Sequence, residues 1–192
     1  ALAVYRVACL EHDADYEVVC FLDDDPQCAT RVAGLPVFVA DAFDDVVRRG
    51  VSYVAPAIAA GAVRLRIREQ CAQRGLKLVN AIHPRATLAP SVQLGQGNHI
   101  KAGAVVDTAT VVGDCCIVDN GAIVAHDNVL GDGCHLAPGA TLGSGIRVGQ
   151  AAIIGTITRC GLTFRSRMPT NVTGPTGTPA ARAELHSPRG TK

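Results

Sequence analysis

The sequence predicts two architectures in tandem, a small parallel α/β unit followed by a column of short strands wound into stacked triangular coils. Three observations carry that expectation. Thirteen hexads in succession place Ile, Leu or Val at one position, from Ile82, Leu88, Leu94 and Ile100 through Val106, Val112, Val118, Val124, Leu130, Leu136, Leu142 and Val148 to Ile154. The fourth residue after each anchor is mostly small, as at Ala86, Ala104, Cys116, Ala122, Cys134, Ala140 and Ala152, with Asn98 and Asn128 breaking the rule. Ahead of residue 80 the hexads are absent and the apolar pattern alternates between strand and helix periods.

In chain order, residues 1–10 (ALAVYRVACL) read as a helix, and residues 17–22 (EVVCFL) as a strand running into a turn at Asp23, Asp24, Asp25 and Pro26. Residues 37–39 and 53–54 are further strands. Residues 42–49 and 62–74 have helical spacing, and the second helix closes at Gly75. Strands alternating with helices imply a small parallel sheet of the Rossmann-like kind. Such a unit ordinarily opens with a strand and a Gly-rich turn whose N–H groups reach a phosphate, and this sequence shows neither before its first helix, so the unit reads as lacking its first strand.

From residue 81 a period of six excludes one continuous helix or long alternating strands, and fits short extended segments joined by bends. Three hexads make one 18-residue coil, and successive coils stack by parallel hydrogen bonding at about 4.8 Å. The anchors point inward with the small residues. From residue 160 the register is expected to fail, since Cys160 and Ser166 take anchor positions and Pro169, Pro175, Pro179 and Pro188 follow. The expected organisation is therefore an α/β unit over 1–80, the coil over 81–160 and an irregular tail over 161–192.

Composition narrows the function classes. The 192 residues carry 18 basic and 17 acidic side chains, without a basic run, which argues against nucleic acid as a partner. No apolar stretch reaches the roughly 18–20 residues of a membrane helix, and the start lacks the order of a signal peptide, so a cytoplasmic location is expected. None of the 8 cysteines forms a Cys-x-x-Cys pair, and reduced thiols are expected.

Three segments together carry a resemblance: FLDDDP (21–26), AIHPRA (81–86) and GAIVAHDNVLGDGCHLAPGATLGSG (121–145). In that order they resemble the hexapeptide-repeat acetyltransferases that act on sugars, including sialic-acid O-acetyltransferases and N-acetyltransferases of nucleotide-linked amino sugars. The resemblance spans residues 3–160 and is most specific around His126. It implies a left-handed parallel β-helix, a handedness opposite to the general crossover rule. It also implies acetyl-CoA as co-substrate, a homotrimer with clefts between subunits, and direct transfer to the amino group of a nucleotide-linked sugar. O-acetylation of a sialic-acid-like sugar is the alternative acceptor chemistry. A non-catalytic trimer that binds sugar or nucleotide is the other alternative.

By the same resemblance His126 is the general base, a task that an imidazole titrating near neutrality suits. Asp127 stands where relatives carry an acidic residue, usually Glu, that orients it. It can reach back to the ring only if the bend turns it inward. His135 is assigned to acetyl-CoA or substrate contacts, and it lies nine residues from His126, half a coil away, so the two serve one site only across a subunit boundary. The turn containing Gly143 and Ser144 is assigned a backbone N–H for the oxyanion, which Ser144 tolerates unless that position requires positive φ. Thr156 aligns with a contact to the pantetheine arm, and Asp23 and Asp24 with the sugar-nucleotide site. Read without the resemblance, the histidines are equally surface residues, Thr156 an ordinary coil position and the aspartates a solvated turn. In the resemblance, about one coil is missing between Gly161 and Met168, which would leave a shallower CoA groove. No metal is expected: His99 and His135 share a column two coils apart, about 9.5 Å, too far for one zinc at about 2.0–2.1 Å per bond.

Overall fold

The computed structural model of the protein describes residues 16–23, 25, 27–28, 30–39, 43–156 and 159–160. The helix expected over 1–10, Asp24 and the tail from 161 lie outside the described residues. In the α/β unit, β1 (Phe21–Asp23) pairs in parallel with β3 (Leu35–Val39), and β2 (Arg31–Val32) pairs antiparallel with β3. The hairpin β2–β3 was not expected. Its two-residue turn has positive φ at both Ala33 (50°) and Gly34 (82°), the primed geometry that matches strand twist. The first strand starts four residues later than its apolar run.

Helix α1 (Phe43–Arg48) carries Asp44 and Asp45 in its first turn and Arg48 in its last, which complements the helix dipole. It buries Phe43 and Val46, one turn apart. β4 (Tyr53–Val54) precedes α2 (Gly61–Gln73), and β5 (Lys77–Leu78) returns beside β4 in parallel. Helix α2 ends as expected at Gly75: the Gly75 N–H donates to Ala72 and the Leu76 N–H to Cys71, a Schellman closure, and Cys71 and Leu76 share one apolar cluster.

From β6 (Ala81–Ile82) to β19 (Arg159–Cys160) the chain makes two-residue strands only, and every paired residue lies 18 positions from its partner. The chain forms a left-handed parallel β-helix with three faces. Face one stacks β7 (Thr87–Leu88), β10 (Val105–Val106), β13 (Ile123–Val124), β16 (Thr141–Leu142) and β19. Face two stacks β8 (Gln93–Leu94), β11 (Val111–Val112), β14 (Val129–Leu130) and β17 (Arg147–Val148). Face three stacks β6, β9 (His99–Ile100), β12 (Ile117–Val118), β15 (His135–Leu136) and β18 (Ile153–Ile154). Each anchor is the second residue of its strand and turns inward, so the anchors from Ile100 to Ile154 join the small residues in one continuous core. Leu142 still pairs with Cys160, the last described residue, because the backbone ladder does not need an aliphatic side chain at the anchor position.

One backbone feature recurs at the corners from residue 97 onward. A residue of positive φ occurs every sixth position from 97 to 151: Gly97, Gly103, Ala109, Cys115, Gly121, Asp127, Gly133, Gly139, Gly145 and Ala151. Each supplies the bend from one face to the next, at some steric cost where the residue is not glycine.

The α/β unit grips the β-helix through α2. Gly61 lies so close to the Gly133 carbonyl that a Cβ there would stand 2.2 Å from its oxygen. Arg64 is fully buried and its guanidinium donates to the carbonyls of Ile58, Ala59, Cys115, Gly133 and Cys134 at 2.6–3.1 Å. One turn on, Arg68 bridges Asp114 and Asp132 at 3.1 and 2.8 Å. Cys20, Cys28, Cys71, Cys115, Cys116 and Cys134 are free thiols, and Cys116 and Cys134 sit in the interior column expected of them. No described helix is long and apolar enough to cross a membrane.

Arg64→Leu is expected to cost about 3 kcal/mol or more in urea unfolding, since each buried carbonyl it strands costs roughly 1–3 kcal/mol. Arg64→Lys should recover only part, because a point ammonium cannot span the same set of acceptors. A loss below about 1 kcal/mol would mean that water replaces the guanidinium.

Candidate active site

His126 and Asp127 occupy the corner between faces one and two, in the bend after β13. Asp127 is the left-handed residue of that bend, with φ 60°, a conformation Asp adopts more readily than most side chains. Its carboxylate therefore folds back, and Oδ2 lies 2.6 Å from His126 Nδ1. A carboxylate can only accept, so Nδ1 carries a proton, and Nε2, which in the neutral ring holds the lone pair, has no partner among the described residues. Both side chains are open to solvent, at 53% and 64% exposure.

The coils above and below fix this bend. The Asp127 N–H donates to Thr108 O one coil below, and the Gly145 N–H one coil above donates to His126 O. Gly143 and Ser144 thus lie directly over Ala125 and His126. Positive φ in their turn falls at Gly145, and Ser144 is not among the residues that adopt it, so serine fits at 144 without strain. The structure therefore brings His126, Asp127, Gly143 and Ser144 to one corner.

His135 opens β15 on face three, away from that corner. Its Nε2 stands 3.3 Å from Asp119 Oδ2, while Asp119 Oδ1 receives the Asn120 N–H at 2.8 Å and Lys101 Nζ at 3.0 Å. Burial by itself would raise the Asp119 carboxyl, but the hydrogen bonds from His135, the Asn120 N–H and Lys101 outweigh it and hold the group well below the usual carboxylate range. Arg64 holds the carbonyls of Gly133 and Cys134, just ahead of His135. Thr156, exposed, follows β18 on the same face. Asp23 ends β1, exposed, with Oδ1 accepting the Asp25 N–H at 3.0 Å in an Asx turn.

No family model and no curated protein matches this chain, but solved structures do. GDP-perosamine N-acetyltransferase from Caulobacter crescentus, a histidine-to-alanine form in complex with CoA and GDP-perosamine, is 32% identical, with TM-score 0.68, over 83% of this chain and 80% of that one. The acetyltransferase domain of PglB from Neisseria gonorrhoeae, in complex with acetyl coenzyme A, is 32% identical, with TM-score 0.61, over 83% and 79%. This chain belongs to the hexapeptide-repeat sugar acetyltransferases. WeeI from Acinetobacter baumannii, 22% identical with TM-score 0.58, shares the fold.

In this sugar acetyltransferase the hexad pattern alone did not single out Asp119, Lys101 or Arg64. A signal for Asp119 existed: sixteen residues before His135 is one coil down and two residues along, on the same face. Arg64 gave none, because a lone arginine on a helix reads as solvent-facing. Among the described residues no three His, Cys, Asp or Glu side chains stand close enough to hold a metal ion.

His99, two coils below His135 on face three, is buried with an unpartnered Nε2. Burial, opposed by a hydrogen bond to the Pro56 carbonyl and assisted by Arg64 and Lys101, lowers its pKa from 6.5 to about 4. Between those values the unfolded chain binds the extra proton, so stability is lost as pH falls through the window, by roughly 3 kcal/mol in all. Urea midpoints measured from pH 7.5 to 4 should show this slope, and His99→Leu should flatten it; an unchanged slope would assign the titration elsewhere.

Proposed function

We propose that this acetyltransferase moves the acetyl group of acetyl-CoA directly to the amino group of a nucleotide-linked amino sugar, with His126 as general base. The observation that carries the reading is the 2.6 Å contact between His126 Nδ1 and Asp127, which leaves an unpartnered, solvent-open Nε2 lone pair at the corner beneath Gly143 and Ser144. Support comes from relatives solved with CoA, acetyl-CoA and GDP-perosamine.

The acceptor amine attacks the thioester carbonyl carbon as Nε2 takes its proton, and a bond from nitrogen to carbon forms. The imidazolium that results is stabilised by Asp127. The tetrahedral intermediate then collapses, the carbon–sulfur bond breaks, and the departing CoA thiolate takes the proton held on Nε2, leaving as the free thiol and returning His126 to its neutral form. Gly143 and Ser144 supply the backbone donor to the oxyanion.

His126 and His135 lie on different sides of one prism, so a shared site needs a neighbouring copy, and a homotrimer supplies three such seams. His135 and Thr156 would then contact acetyl-CoA, and Asp23 and Asp24 in the α/β unit would hold the sugar nucleotide. Acetyl-CoA is a cytoplasmic metabolite, and the reading assigns the enzyme to that compartment.

Release of CoA should be followed with GDP-, UDP- and dTDP-linked amino sugars and with free sialic acid, GDP-perosamine first. Turnover with an amino sugar is expected; turnover with sialic acid alone would move the reading to O-acetylation, and none at all would favour a binding protein. His126→Ala should lower kcat by about 10²- to 10⁴-fold while leaving KM for acetyl-CoA within about twofold. Wild-type kcat in that variant would remove His126 from the mechanism.

A further inference from the structure

Asn128 breaks the small-residue rule inside the prism, and its side chain is wholly buried. Each of its polar atoms is engaged. Nδ2 donates to Ala125 O at 2.6 Å and to Gly143 O at 2.9 Å, and Oδ1 accepts the Ile146 N–H at 2.7 Å. Thr110, one coil below in the same column, adds a second donor to Ala125 O at 3.1 Å. The two carbonyls held by Asn128 are those that precede His126 and Ser144.

The consequence follows from peptide geometry. In a planar trans peptide the C=O and the following N–H point in opposite directions, and among the described residues no peptide is cis. A Gly143 carbonyl drawn inward to Asn128 therefore turns the Ser144 N–H outward. An Ala125 carbonyl drawn inward fixes the peptide that carries His126 in the same way. Among the described residues the Ser144 N–H has no acceptor, and the bond from the Gly145 N–H to His126 O locks the two bends one above the other.

We infer that Asn128 is a positioning residue for acetyl transfer, and that the donor it aims is the Ser144 N–H. This inference rests on the acetyltransferase reading above. From inside the prism, one amide holds the bend that bears the base and directs the oxyanion donor on the next coil. It acts on the orientation of groups in the transition state, and not on the binding of CoA.

A threonine in this column reaches the carbonyl fifteen residues on, as Thr110 does to Ala125, so threonine at 128 would still reach Gly143. Valine has the same shape without the hydroxyl. Both substitutions forfeit the bond to Ile146, so Asn128→Thr and Asn128→Val should lose similar stability. Their rates should differ: kcat for Asn128→Val is expected to be at least roughly tenfold below that for Asn128→Thr, a part of the 10²–10³ that losing an oxyanion donor outright costs, with equal KM for acetyl-CoA. Equal kcat in the two variants, measured well below both melting temperatures, would overturn the inference. Crystal structures of the pair test the geometry even if the wild-type chain acetylates nothing. The Gly143 carbonyl should stay inward in the threonine variant and rotate in the valine variant; an inward carbonyl in both would likewise overturn it.

Discussion

Everything in the β-helix depends on the in-register stacking of residue i on residue i+18. Because each strand is only two residues long, no strand is stable by itself, and the ladder holds only as a continuous column of parallel bonds. That register decides which side chains meet. It puts the anchors in one core, places Ser144 over His126, and sets Asp119 within reach of His135 from one coil below. From residue 97 on, each described corner holds a left-handed residue, and at one corner that residue is Asp127. The same constraint that bends the chain thus turns a carboxylate back on the imidazole.

The α/β unit is tied to this column close to His135. Arg64 satisfies carbonyls of two neighbouring coils and of the segment before α2, and two of those carbonyls immediately precede His135. Its charge is set against backbone dipoles with no carboxylate partner, so its removal would leave several buried acceptors unsatisfied at once. Arg68 extends the grip to Asp114 and Asp132, whose other oxygens receive the N–H groups of Gln96 and Asp114 in the coils below. A displacement of α2 would therefore be felt along the corner that leads into face three.

The column was legible in the sequence because one aliphatic residue per hexad is a constraint imposed by a narrow interior, and each anchor from Ile82 to Ile154 is the inward residue of its strand. His126 and Asp127 were legible through the resemblance, and the reach of Asp127 depended on a backbone angle that no side-chain pattern states. Whether Ser144 had to adopt positive φ was left open by the sequence; the left-handed residue of that turn is Gly145. At Cys160 side-chain regularity lapses while backbone pairing persists, and the described ladder runs to that residue. The hairpin strand β2 and the strand β5 escaped notice because each sets one apolar residue beside a charged one, Arg31–Val32 and Lys77–Leu78, where β4 shows two strand formers, Tyr53–Val54. Asn128 was visible only as an exception, and its meaning required knowing which carbonyls face the interior.

The most direct measurement is a crystal structure of the protein with CoA bound. The account predicts the CoA sulfur beside His126, near the Ser144 N–H, in a cleft whose opposite wall is face three of a second copy with its His135. CoA bound away from the corner between faces one and two, or held there by a single chain with no neighbouring copy, would contradict it.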